Sequence, residues 1–252
     1  MSLECTRVAL QLRESHPYLP IMTLPDAAVS PIQDRGVYVS AERWQTLRSD
    51  PAFIELVRLA RATNQLTLAW PPLLATLDDQ SPKARRERFA AFFYAVALMH
   101  EALHMAQSLG KYFRDLPQYK AGFGGIFADQ EIGLLRTTIM DRIRNRLVFH
   151  FDRDSLAEGL SHFPQGETLI ATAPDFQQGE IYFDLADDAL LGYLFGDAST
   201  ETEYVARVAR VMEQGTHLFQ RFMRAAHSLI PAALKQMGCY LKPVDRPAPP
   251  PE

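Results

Sequence analysis

From Tyr204 onward, Val208, Val211, Gly215, Leu218, Phe222, Ala225 and Leu229 recur at steps of four and three, and no other stretch restricts the chain's conformation so tightly. On an α-helix these positions share one side and form a seam that wants a neighbouring helix to cover it. A strand changes sides at every residue and would leave half of the set in water. Pro231 marks the expected disturbance of this helix.

The rest of the chain repeats the pattern. Asp50 followed by Pro51 reads as a helix cap with proline at the first helical position, Phe53, Val57 and Ala60 mark an inner face, and "WPP" from Trp70 stops the segment. Ser81 and Pro82 repeat the start signal, after which Phe89, Phe93, Val96, His100 and Leu103 keep helical spacing up to Gly110. The glycines of "YKAGFGGIFADQ" read as a loop, and Ile132, Leu135, Ile139, Ile143 and Leu147 then stripe a third helix that ends near His150. Ser40 is placed to cap a short helix opening at "SAERW".

Four long amphipathic segments with mostly short connections predict a mainly α fold with a four-helix-bundle-like core over residues 40–238. An irregular arm over 1–39 carries Pro17, Pro20, Pro25 and Pro31. Within an insertion at about 164–199, "ETLIATAPDFQQGEIYFDLADD" suggests a small hairpin, and "DLADDALLGYLFGD" reads as a helix or loop covering the bundle. Residues 239–252, with "KPVDRPAPPPE", read as a disordered, proline-rich tail.

Composition narrows the function classes. A chain of 252 residues that is 47% hydrophobic can bury a real core, and a net charge of -4 gives no global pull toward polyanions, so such a partner needs a local basic patch. Cys5 and Cys239 are too far apart in sequence to suggest a disulfide framework, which fits a reducing compartment and excludes a cysteine-built zinc site. No apolar run approaches the length of a membrane span, and charges arrive early in "MSLECTRVALQLRESHPYLP", so a cytoplasmic protein with no membrane attachment is expected.

Two stretches carry chemistry. "HEALH" places His100 and His104 one turn apart with Glu101 between them, the arrangement in which two histidines bind zinc and a glutamate activates its water. A catalytic zinc wants a third protein ligand, and "MAQSLGKYF" offers none; Glu131 is the nearest downstream glutamate. Both histidines continue the apolar stripe of Phe89, Phe93 and Leu103, so the competing reading is a hydrogen-bonded, core-facing pair, and no cofactor is expected.

The second stretch is "DRIRNRLVFHFD", from Asp141 to Asp152. An arginine offers a fixed fork of donors to phosphate, and a histidine can take a proton from a ribose hydroxyl or return one to a leaving oxygen near neutral pH. Arg210 with His217 and Arg221 with His227 have similar spacing, but only Arg144 is followed by a polar amide, Asn145, and then His150. At these three residues the chain resembles the HEPN superfamily of helical-bundle proteins, whose signature is an arginine, a polar residue and a histidine a few residues later. The resemblance covers about residues 50 to 230 as architecture and the short motif as chemistry. It implies a metal-independent endoribonuclease, often a homodimer with two motifs facing one cleft, or an inactive relative that binds RNA or protein. His150 would then assist attack by the 2′-hydroxyl and Arg144 would carry the developing charge.

On an unbroken α-helix, six residues leave Arg144 about 120 degrees from His150, and Arg146 is the better same-face partner. If the helix breaks at "FHFD", the pair can converge on one phosphate with Arg146 and Asp152 as further substrate-side groups, Asp152 orienting the histidine. The competing reading is a core histidine beside a solvated arginine row. "KARRER" at Lys83 to Arg88 reads as a solvated face or a polyanion contact, and Asn64 near Arg61 as a paired inner-face asparagine. Two other function classes stay open: a non-catalytic bundle that binds a protein through the Tyr204 to Leu229 seam or the tail, and a zinc hydrolase at His100, Glu101 and His104.

Overall fold

The computed structural model describes residues 35–70, 82–148, 152–162 and 184–243. Its described residues form eight helices and one two-stranded ladder. In chain order these are β1 (Arg35–Tyr38), α1 (Ala41–Leu47), α2 (Pro51–Ala69), α3 (Pro82–Phe113), α4 (117–127), α5 (130–148), α6 (Arg153–Ser161), α7 (Asp184–Phe195), α8 (Glu201–Gln236) and β2 (Tyr240–Pro243). Helices α2, α3, α5 and α8 pack as the four members of the bundle.

The start signals act as their chemistry requires. Ser40 accepts from the Arg43 amide at 3.1 Å, and Asp50 accepts from Ala52 and Phe53 at 2.8 and 3.3 Å, each satisfying amides that a helix start leaves without partners. Thr200 caps α8, while the Glu203 carboxylate turns back to the Ser199 amide and hydroxyl. Those bonds, with Arg207, hold the Glu203 carboxyl down to about 2.

The inner face of α2 is turned from the expected stripe. Leu56, Leu59, Ala62, Thr63 and Leu66 are buried, whereas Val57 and Asn64 are exposed, because the leucine row beside Phe53, Val57 and Ala60 offers more apolar area to the core. Asn64 is therefore an outward residue, and Arg61 is exposed beside it.

The glycine-rich segment is helical. Helix α4 contains a π turn over Lys120–Gly124, and a Cβ on Gly122 would lie 2.7 Å from the Ala225 Cβ of α8. Its glycine allows two helices to approach closely, so Phe123 and Ile126 are buried where a loop was expected. Helix α8 likewise continues past Pro231 to Gln236. A proline inside a helix costs ~3 kcal/mol, and the fully buried Leu229 and Ala233 on either side offset it.

Chain termination is specific. Gly238, at φ 80°, follows α8 while the Cys239 amide reaches back to the Leu234 carbonyl at 2.9 Å and Gly238 to Lys235 at 3.0 Å, a glycine-based helix stop. The released backbone forms β2, antiparallel to β1 with Val37 opposite Leu241. The end of the expected irregular arm and the start of the expected disordered tail are thus a paired ladder, since each supplies the backbone partners that the other lacks. The stretch "DLADDALLGYLFGD", expected as a helix or loop, is the helix α7 from Asp184 onward; it packs against α6, with Leu191, Tyr193 and Leu194 buried, and overlaps only the last residues of the stretch read as a hairpin. The hairpin's preceding residues, 167–183, lie outside the described residues.

Candidate functional site

Helix α5 changes its winding at the place where the arginine motif lies. After α turns over Gln130–Leu135 it takes π turns over Arg136–Met140 and Ile143–Val148. A π turn lets each carbonyl meet an amide five residues on and rotates the side chains away from their α positions, and such turns gather at functional sites. Ile143 and Met140 remain buried, so the rewound face, carrying Arg136, Asp141, Arg144 and Asn145, turns along α3.

Across from it stands HEALH. Arg144 Nε donates to Glu101 Oε1 at 2.6 Å, Arg144 Nη1 donates to Asn145 Oδ1 at 2.7 Å, and Asn145 Nδ2 donates to Asp141 Oδ1 at 2.8 Å. Asp141 Oδ1 in turn lies 3.4 Å from His100 Nε2, and His100 Nδ1 lies 3.9 Å from Glu101 Oε1. The two stretches that compete in the sequence therefore form one circuit of side chains. One turn further along, Arg136 meets Gln107 Oε1 and both ring nitrogens of His104 at 3.3 Å. Pairing of 101 with 144, 100 with 141 and 104 with 136 is the register of two antiparallel helices.

Burial separates the two histidines. His100 is 5% exposed, and its Nδ1 has no hydrogen-bond partner. Burial is the main cause that lowers its pKa below 6.5, His104 and Arg136 act in the same direction, and Asp141 and Glu101 oppose them. His104, expected in the core beside it, is exposed. Four residues advance a helix by about 400 degrees, so the row drifts by about 40 degrees and leaves the core at its edge. The rings meet edge to face, with centroids 4.9 Å apart.

That geometry does not gather zinc ligands. His100 Nε2 faces Asp141, a guanidinium occupies the His104 nitrogens, and among the described residues no group of three or more His, Cys, Asp or Glu side chains is placed to hold a metal ion. Glu131 is exposed in the first turn of α5.

Arg144 and Asn145 thus stand together, joined to the HEALH helix, while His150 lies outside the described residues. Arg146 and Asp152 pair with each other at 3.7 Å. Asp152 also caps α6, accepting from the Ser155 amide at 3.0 Å and hydroxyl at 2.6 Å, so a structural task occupies the carboxylate. Arg221 is committed to Asp129 and the Gly125 carbonyl, which removes one of the look-alike motifs. Helix α3 begins at Pro82, and of Lys83 to Arg88 only Glu87 and Arg88 have described side chains.

Sequence reasoning missed Arg136, Gln107 and Asp141. Asp141 and Asn145 stand four apart, the spacing at which helical side chains bond, and this was the available signal. Arg136 carried none, because its partner lies 32 residues earlier on another helix. Comparison of the chain with protein-family models, curated proteins and solved structures finds no match.

Proposed function

We propose that the chain is a HEPN-like RNA-acting protein whose α3–α5 seam holds a phosphate at Arg144, with metal-independent strand cleavage as its chemistry. The carrying observation is the Arg144 guanidinium, fixed by Glu101 and Asn145 yet 37% exposed, with no described partner for Nη2. A held but open fork is what a phosphate oxygen needs. Arg144 and Asn145 enter this reading from the geometry. His150 enters only from the motif.

A groove of about 380 Å³ on another side of α5 supports the same class of ligand. Arg142 and Arg210 line it, and among the described residues neither has a carboxylate partner. Arg142 stands 5.7 Å over the Tyr193 ring. A single strand passing from the seam over α5 would find cations on both sides. The protein-binding reading has less to use: Val211, Leu218, Phe222, Ala225 and Leu229 of its seam are buried within the bundle. No described helix is long and apolar enough to cross a membrane. Cytoplasmic location and pairing into a homodimer belong to the proposal.

The test is binding and cleavage of single-stranded RNA in EDTA. Arg144→Ala should weaken binding about ten- to a hundredfold, the loss of one charged hydrogen-bonding contact, and reduce cleavage with it. His150→Ala should spare binding and slow cleavage, as the loss of one proton-transfer group of several does. A wild-type protein that neither binds nor cuts a panel of RNAs at physiological salt would end this reading.

A further inference from the structure

We propose that His104 is the general base of the seam, so that the HEALH helix supplies the proton acceptor and α5 the phosphate contacts; the assignment rests on the RNA reading above. Three features of His104 support it. Its ring is exposed, while the backbone that carries it is fixed by the fully buried Ala102, Leu103 and Ala106. It belongs to the same face as Glu101, three residues away, and such neighbours have Cβ atoms about 5–6 Å apart. A group bound at the Glu101-tethered Arg144 is therefore within one turn of the imidazole.

The third feature is the guanidinium beside the ring. Arg136 Nη2 lies 3.3 Å from both ring nitrogens of His104. The two nitrogens point in diverging directions in the ring plane, so a single atom at equal distance from both lies across the imidazole. In this state the guanidinium covers the ring. A phosphate is a better acceptor for that guanidinium than the Gln107 amide oxygen, which it also meets at 3.3 Å. Arrival of the strand draws Arg136 onto the phosphate and uncovers the base beside the ribose. The charged and titratable groups facing His104 are Arg136 across the seam and His100 on its own helix, with Glu101 and Asp141 one turn away. His100, buried and edge-on, is a positioning residue behind the ring.

The step balances without a cofactor. The ribose 2′-oxygen bonds to phosphorus as its proton passes to His104, the bond from phosphorus to the 5′-oxygen breaks, and that oxygen takes a proton from water. His104 then returns its proton to the hydroxide so formed, leaving a 2′,3′-cyclic phosphate and a free 5′-hydroxyl.

The experiment is the pH dependence of single-stranded RNA cleavage in EDTA by wild type, His104→Ala and Arg136→Ala, with RNA affinity and melting temperature measured alongside. Replacing a general base should slow cleavage about a hundredfold or more. Affinity and melting temperature should barely change in His104→Ala. The rising limb of the pH profile should vanish, and added imidazole should restore part of the rate. Arg136→Ala should weaken RNA affinity and cleavage together while keeping the limb. If wild type cleaves and His104→Ala keeps both rate and limb, the base assignment falls and the RNA reading stands. If His104→Ala slows cleavage only in proportion to a lost melting temperature, without imidazole rescue, His104 is structural and the assignment also falls. A wild type that binds RNA without cutting it removes the base and leaves the phosphate site, and one that does neither removes both.

Discussion

The two sides of the bundle are built on opposite principles. Where α2 meets α8, Trp70 stacks on Phe219 at 4.6 Å with the planes 4° apart, Leu56, Leu59 and Leu66 are buried, and Phe222 is fully enclosed. An apolar void of about 10 Å³ in the middle of the bundle, lined by Trp70, Met99 of α3, Leu135 and Met140 of α5 and Leu218 of α8, is the size of a single water at most. Where α3 meets α5, a buried imidazole has an unpartnered nitrogen and faces the Asp141 carboxylate, Glu101 pairs with Arg144, and the helix is rewound. Burying polar groups costs free energy that apolar packing would not incur. On the α3–α5 side that cost falls on His100, which is buried, whereas Glu101 and Arg144 are each more than one-third exposed and His104 is exposed, so the polar row runs along the rim of the bundle.

Removing a large side chain from the closed side should give the largest effect in stability. Phe222→Ala should cost about 3–5 kcal/mol, as truncation of an enclosed aromatic does, read as a drop in the denaturant midpoint. Cleavage per folded molecule should stay near wild type. A loss below about 1 kcal/mol would show that this side is no tighter than a surface and would erase the contrast.

On the polar side the ranking reverses. Glu101→Gln keeps the shape of the side chain and removes the charge that fixes Arg144. Both partners are more than one-third exposed, so stability should change by less than about 1 kcal/mol. Cleavage should fall about tenfold to a hundredfold through misplacement of the guanidinium, whereas RNA affinity should hold or rise as a negative charge leaves. Unfolding of this variant would make the Glu101 to Arg144 pair a structural clamp.

This contrast also explains what could be read in advance. Helical spacing gave α2, α3, α5 and α8, because an apolar row has few ways to be buried, and capping chemistry at Ser40 and Asp50 fixed two starts. Spacing failed at "YKAGFGGIFADQ", where glycines serve a close approach to Ala225 that no local pattern can announce. It failed on Val57 and Asn64, where two adjacent rows compete for the interior. At the site, Arg144 with Asn145 and HEALH were each legible as motifs, but their union was not. The register between two helices depends on packing around the whole bundle, and Arg136 and Asp141 acquire meaning only through it.

The smallest effect concerns the group that most distinguishes the two sides. His100 sits in the core with its pKa lowered from 6.5, chiefly by burial and further by His104 and Arg136, against the opposing pull of Asp141 and Glu101. Between its folded pKa and 6.5 the unfolded chain binds a proton that the folded chain refuses, so stability from this group is fully present above about 6.5 and is lost as pH falls through that window. Chemical denaturation from pH 7.5 down to pH 5 should therefore show a declining stability, and His100→Gln should flatten the decline. The window lies above the usual range of aspartate and glutamate titration, so histidines carry most of the slope. The opposite slope, stability rising as pH falls, would mean that Asp141 and Glu101 hold His100 as a cation. The α3–α5 seam would then be a salt-bridged clasp, and its difference from the closed side would lie in charge pairing alone.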